Sequence, residues 1–111
     1  NPAAYGVFGY SFLDQNRVVV QAANVDGVEP TFDAIGSGDY PVSRSLFFYV
    51  KKAHVGVVPG IEGYVKEFTS EKAWGNNGYL SEKGLIPLGD DLRKSMAKQA
   101  RSLKSMTGEE L

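Results

Sequence analysis

One hexapeptide constrains this chain more than any other part of it. Residues Ser45-Leu46-Phe47-Phe48-Tyr49-Val50 are almost continuously apolar, with Arg44 before them and Lys51-Lys52 after them. A strand with one solvated face alternates polar and apolar residues; a run without alternation is covered on both faces. The hexapeptide therefore predicts a strand buried from both sides. Whatever this chain folds into must place two apolar layers around it.

The remaining strand signals are few. Gly6 to Tyr10 and the valine-rich stretch Arg17 to Ala23 have β composition, and Asp26-Gly27 reads as a turn. A short helix is expected over Ser11 to Gln15, capped by Ser11, with another carrying Pro30 in its first turn and ended by Gly36 and Gly38. Pro41 forces Tyr40 into an extended conformation.

The second half is helical. Ile61, Tyr64, Val65 and Phe68 share one face of an amphipathic helix. A short helix around Ser70 to Trp74 is broken by Gly75-Asn76-Asn77-Gly78, and a helical turn over Tyr79 to Lys83 is closed by Gly84. Asp90 or Asp91 caps the final helix, whose apolar face is Leu92, Met96, Ala100 and Leu103. Its basic residues Arg93, Lys94, Lys98, Arg101 and Lys104 follow the acidic start and suit the helix dipole. Thr107 to Leu111 is expected to fray.

Three separated strands cannot close a compact sheet, so the class is α/β with central strands ahead of a helix-rich C-terminal half, belonging to something larger. The opening Asn1-Pro2-Ala3-Ala4, without an initiator Met or a signal peptide, is expected of a processed product, a proteolytic fragment or an engineered segment. The 12 basic residues balance 13 acidic ones, which gives no general pull toward nucleic acid or an anionic membrane. Cysteine is absent, which excludes disulfides and thiolate metal sites.

Little in the chain looks catalytic. His54 is the single histidine and has no partners at ligand spacing, so it reads as a surface residue and no metal site is expected. The pairs Asp90-Asp91 and Glu109-Glu110 read as a helix start and a solvated tail rather than an acid–base pair. Gly75-Asn76-Asn77-Gly78 lacks the Lys and hydroxyl that a phosphate loop needs. Tyr5, Phe8, Tyr10 and Phe12 form an aromatic cluster expected in the core. Ser43-Arg44-Ser45 is the most anion-friendly cluster, a guanidinium flanked by hydroxyls, weighed against an ordinary strand-edge ion pair. No nucleophile with an adjacent base can be assembled, so the chain does not read as an enzyme.

Three stretches together carry a resemblance. They are Gly6-Val7-Phe8-Gly9-Tyr10 with Asp26-Gly27-Val28-Glu29-Pro30-Thr31, then Ser37 through Lys52, then Ala73-Trp74-Gly75 with Gly78 through Leu88. Their order and spacing resemble the C-terminal part of bacterial phosphate-binding proteins of the phosphate ABC transporter. The resemblance implies a two-lobed clamp that closes over one anion, without a cofactor. It implies that residues 1–39 belong to the second lobe and 40–111 to the first, with Ser45 to Val50 as a central strand. It implies inorganic phosphate and a transporter permease as partners, no nucleic acid, and a periplasmic or cell-surface location. The alternative is a sensory or interaction domain on the same fold. The family's phosphate-binding motifs are absent here; Ser43 and Arg44 stay candidates on their chemistry alone. Uncovered lobe surfaces would favour a homodimer or an exchange of elements between copies.

Overall fold

The computed structural model describes residue 1 and residues 3–108. Its main departure from expectation lies in the strands. Among the described residues, β pairing is confined to one antiparallel bridge between Val25 and Val28. Reciprocal hydrogen bonds of 3.0 and 2.9 Å close it. Asp26 and Gly27 between them have φ of 50° and 80°, the paired left-handed geometry of a tight hairpin turn. The turn forms as expected, but the flanking strands do not: Val18 is 98% exposed and Val19 is exposed too. Gly6 to Gly9 is likewise unpaired.

The central-strand expectation for Ser45 to Val50 is corrected in the same way. The segment 43–51 runs without a turn or bend, yet the backbone groups of 44–50 make no hydrogen bond among the described residues. Its rings alternate as they would on a strand. Phe47 stacks on Tyr49 at 6.0 Å, while Phe48 turns to Tyr64 and Phe68 at 5.2 and 5.0 Å. The reason is physical. Composition gives a segment the shape of a strand, but its hydrogen bonds must come from neighbours.

The helices follow the sequence more closely. α1 spans Tyr10–Gln15 and buries Leu13; Gly9 sits at its cap position, so Ser11 lies inside the helix and is not the cap. α2 spans Phe32–Ser37. Thr31 caps it by accepting from the Ala34 N–H at 3.1 Å, which puts Pro30 before the helix rather than in its first turn. Gly38 closes it. A 3-10 turn covers Lys52–His54. α3 spans Ile61–Phe68 and buries Val65, and α4 spans Glu71–Trp74, capped by Ser70. A second 3-10 turn covers Ser81–Lys83, and Gly84 ends it with a φ of 87°.

α5 spans Asp90–Arg101, with Gly89 at its cap position. Asp90 and Asp91 stand in the first turn, so neither is the cap. The apolar face is also corrected: Leu92 is 49% exposed, and the helix turns Arg93, Met96, Ala97 and Ala100 inward. Arg93 holds that position because its charge finds partners there.

α3 packs on α4 and α5. Among the described residues the buried apolar side chains are Leu13, Val65 and Ala73, and Pro30 is buried as well. The first third of the chain leans on residues 84–86, where Gly84 lies against Ser11 and Gly36 against Ile86. This core is thin for the length. The radius of gyration is 16.7 Å, against about 13 Å for a compact domain of this size. The accessible surface is 8644 Å², against roughly 6,000 Å² for a folded monomer of this mass.

Candidate functional site

The connection between α2 and the segment 43–51 carries the two candidate residues. Its backbone is tied down at several points. The Tyr40 N–H donates to the Ala34 carbonyl at 3.0 Å, and the Tyr40 hydroxyl reaches the Ala23 carbonyl at 3.3 Å. The Ser37 hydroxyl donates to the Asp39 carboxylate at 2.7 Å. After the turn at Tyr40-Pro41, the Ser43 N–H donates to the Tyr40 carbonyl at 2.9 Å.

Ser43 emerges from this turn with its hydroxyl oxygen buried and without a hydrogen-bond partner among the described residues. Leaving such a group unpaired costs about 1–3 kcal/mol. Arg44 follows, exposed and in no ion pair among the described residues. The two are neighbours with donor capacity to spare.

The other sequence candidates are scattered. His54 ends its 3-10 turn in solvent. No three metal-ligating side chains cluster among the described residues. Phe8 and Phe12 meet edge to face at 5.0 Å, but both are exposed, as is Tyr5, so this cluster is not core. Glu109 and Glu110 lie outside the described residues.

The most organised polar cluster was not legible as such. A groove of about 760 Å³ runs between the α3–α4 junction and α5, lined by Thr69, Glu71, Asp90, Arg93, Lys98 and Arg101 among others. Arg93 is 4% exposed. It donates to Glu71 at 3.0 Å, to Asp90 at 2.8 Å and to the Leu88 carbonyl at 2.6 Å. The Glu71 hydrogen bond raises its pKa above the ordinary guanidinium value, opposed by burial and helped by Asp90. Arg101 donates to the Thr69 hydroxyl and carbonyl at 2.9 and 2.6 Å, gripping the end of α3. Both guanidinium groups are thus engaged in holding α5 against α3 and α4. The spacing of Asp90 and Arg93, one helical turn apart, was the available sequence signal.

Comparison with known proteins adds a family. Residues 1–72 match the family described as a PBP superfamily domain. The Phosphate-binding protein PstS of Bacillus subtilis is 27% identical over 89 residues, covering 80% of this chain and 27% of that protein. The Phosphate-binding protein PstS of Staphylococcus epidermidis is 30% identical over 113 residues, covering 94% of this chain and 35% of that protein. The Staphylococcus haemolyticus protein of the same name is 37% identical over 57 residues, covering 47% of this chain and 18% of its own length. The chain therefore spans between a quarter and just over a third of the first two relatives. No solved structure gives a significant match.

Proposed function

The chain belongs to the PBP superfamily, and on that premise we propose that it is the C-terminal segment of a phosphate-binding protein that supplies an ABC transporter. The observation that carries this reading is the match to a Phosphate-binding protein PstS along 94% of the chain. The relatives are named for binding, which favours capture of an anion over chemistry on it and gives the sensory alternative no support.

In this reading residues 1–39 contribute to one lobe and 40–111 to the other, and the turn at Tyr40-Pro41 lies at the crossover. Ser43 and Arg44, just past that turn, are the chain's own candidates to face the anion. A buried hydroxyl without a partner and an unpaired guanidinium can both donate to a phosphate oxygen. The working location is outside the cytoplasm, where a binding protein meets its transporter.

Calorimetry tests the reading. The full-length gene product is expected to bind inorganic phosphate in the micromolar range or tighter, and the 111-residue chain alone at least about a hundredfold more weakly, because most of the donors lie elsewhere. No phosphate binding by the full-length product would overturn the proposal, as would submicromolar binding by the short chain.

A further inference from the structure

Asp26-Gly27 and Asn77-Gly78 are open to the same self-modification. The backbone nitrogen of the glycine attacks Cγ of the residue before it and closes a cyclic succinimide. The new C–N bond replaces the bond from Cγ to the leaving group. The nitrogen gives up its proton, and the side chain loses water from a protonated carboxyl or ammonia from an amide. Water then opens the ring at either carbonyl; opening at the backbone carbonyl gives isoaspartate, with the main chain rerouted through the side-chain carbon. Glycine favours the attack because it has no side chain to shield its nitrogen. At neutral pH an amide closes this ring more readily than a carboxylate, so sequence alone ranks Asn77-Gly78 first.

The structure opposes that ranking. Asp26 and Gly27 are both exposed, and nothing lies within 4 Å of the point where a Gly27 side chain would start. The two hydrogen bonds that hold the turn join Val25 to Val28, and neither uses the 26–27 peptide. Among the described residues the Gly27 N–H donates to no backbone acceptor and the Asp26 carboxylate is in no ion pair. At Asn77-Gly78 the attacking group is committed. The Gly78 N–H donates to the Gly75 carbonyl at 2.8 Å, and the Gly78 carbonyl accepts from the Ser81 N–H at 3.0 Å. Gly78 is buried against the Ala73 backbone, and the Tyr79 and Leu80 amides are bonded to the Lys72 and Ala73 carbonyls at 3.0 Å. Ring closure there requires this turn to open first. We propose that Asp26-Gly27 is a site of isoaspartate formation, and that the fold holds Asn77-Gly78 out of the reaction. Conversion adds a backbone carbon inside the turn that registers Val25 with Val28. The Tyr40 hydroxyl bonds to the Ala23 carbonyl just before that turn. Isoaspartate at position 26 therefore loosens the tip that anchors the connection to segment 43–51.

The variant Asp26→Asn tests the proposal, because it makes the two dipeptides chemically identical and asparagine suits the left-handed position. Variant and wild type are aged at neutral pH, both as the 111-residue chain and as the full-length gene product. Conversion is read by peptide mapping with fragmentation that distinguishes isoaspartate from aspartate. In the folded variant, position 26 is expected to convert at least about tenfold faster than Asn77, since only the latter must wait for local opening. In urea the two rates are expected to converge. The folded wild type is expected to accumulate isoaspartate at Asp26, with faster hydrogen exchange of the Val28 amide in the converted fraction. Equal rates in the folded variant, or faster conversion at Asn77, overturn the proposal. So does a rate ratio that persists in urea, which would assign the difference to local sequence. So does a folded wild type without isoaspartate at position 26 when the unfolded chain has formed it. None of these readouts involves phosphate, so they can fail while phosphate binding stands.

Discussion

The guanidinium of Arg93 lies against the carboxylate of Glu71, 22 residues earlier in the chain, with Nε and one terminal nitrogen each 3.0 Å from it. This pair joins α5 to α4, and one of its members is buried while the other is largely exposed. Glu71→Ala is expected to destabilise the chain by about 1–3 kcal/mol, below the cost of breaking a fully buried pair, because water can reach the vacated side. Arg93→Ala should cost more, since it also empties buried space. Urea denaturation of both variants and of the double variant measures the coupling; strictly additive losses would show that the contact is incidental.

Gly84 adopts a left-handed φ of 87°, and any side chain there would overlap Ser11. Gly84→Ala is therefore expected to cost at least about 2 kcal/mol, combining the conformational penalty with the clash. Ser11→Gly in the same chain should recover the steric part only. An unchanged melting midpoint in Gly84→Ala would mean that α1 does not rest on this turn in solution.

The Tyr79 hydroxyl donates to Glu67 at 3.4 Å. Partial desolvation, with the Glu67 carboxylate beside it, holds its pKa above the ordinary 10.0. The folded chain thus keeps this proton better than the unfolded chain does. The associated stability is complete below pH 10 and falls as pH rises through the folded pKa. Ultraviolet titration of the phenol should give a Tyr79 midpoint above the ordinary value, and Glu67→Gln should lower it.

Arg101 grips Thr69 through both the hydroxyl and the carbonyl. Thr69→Val removes the hydroxyl and keeps the shape, so a loss of about 1 kcal/mol is expected. Arg101→Lys should not preserve the grip, because an ammonium lacks the two-pronged geometry. Equal stability of wild type and Arg101→Lys would contradict this.

Ser43 has a buried hydroxyl without a partner among the described residues. Ser43→Ala is expected to leave the isolated chain's stability unchanged or raise it by up to about 1 kcal/mol. In the full-length gene product the same substitution should weaken phosphate binding if this hydroxyl faces the anion. A large stability loss in the isolated chain would instead assign Ser43 to packing.

The parts legible in sequence were those decided locally. Gly38 and Gly84 close their helical turns and Ser70 opens α4 through contacts within a few residues, and the Ile61–Phe68 spacing fixed α3, whereas the Thr31 cap was missed in favour of Pro30. The parts missed depended on distant residues. Arg93 reads in sequence only as one of several basic residues that suit the helix dipole, because its main partner, Glu71, lies on another helix. Leu92 was assigned to the core by spacing, yet a charged residue with three kinds of acceptor took the inward position. The apolar hexapeptide reads as a strand covered on both sides, yet Leu46, Phe47, Phe48 and Tyr49 are exposed and its backbone makes no ladder bond among the described residues, because composition gives the shape of a strand and only neighbours give the cover. Ser43 and Arg44 could be named from chemistry, whereas the burial of the Ser43 hydroxyl is a fact of geometry.

The turn at Asp26-Gly27 has a consequence for how far a hairpin can grow from it. Pairing Val25 with Val28 fixes the register, so the next directly bonded pair would be Ala23 with Pro30. Proline has no N–H to give, and a ladder cannot pass it on that side. The Ala23 carbonyl, which that pair would have used, accepts the Tyr40 hydroxyl instead. The chain thus limits its own hairpin to the turn and hands the freed acceptor to the residue that begins the connection to segment 43–51, making the hairpin tip an anchor for that connection rather than the start of a sheet.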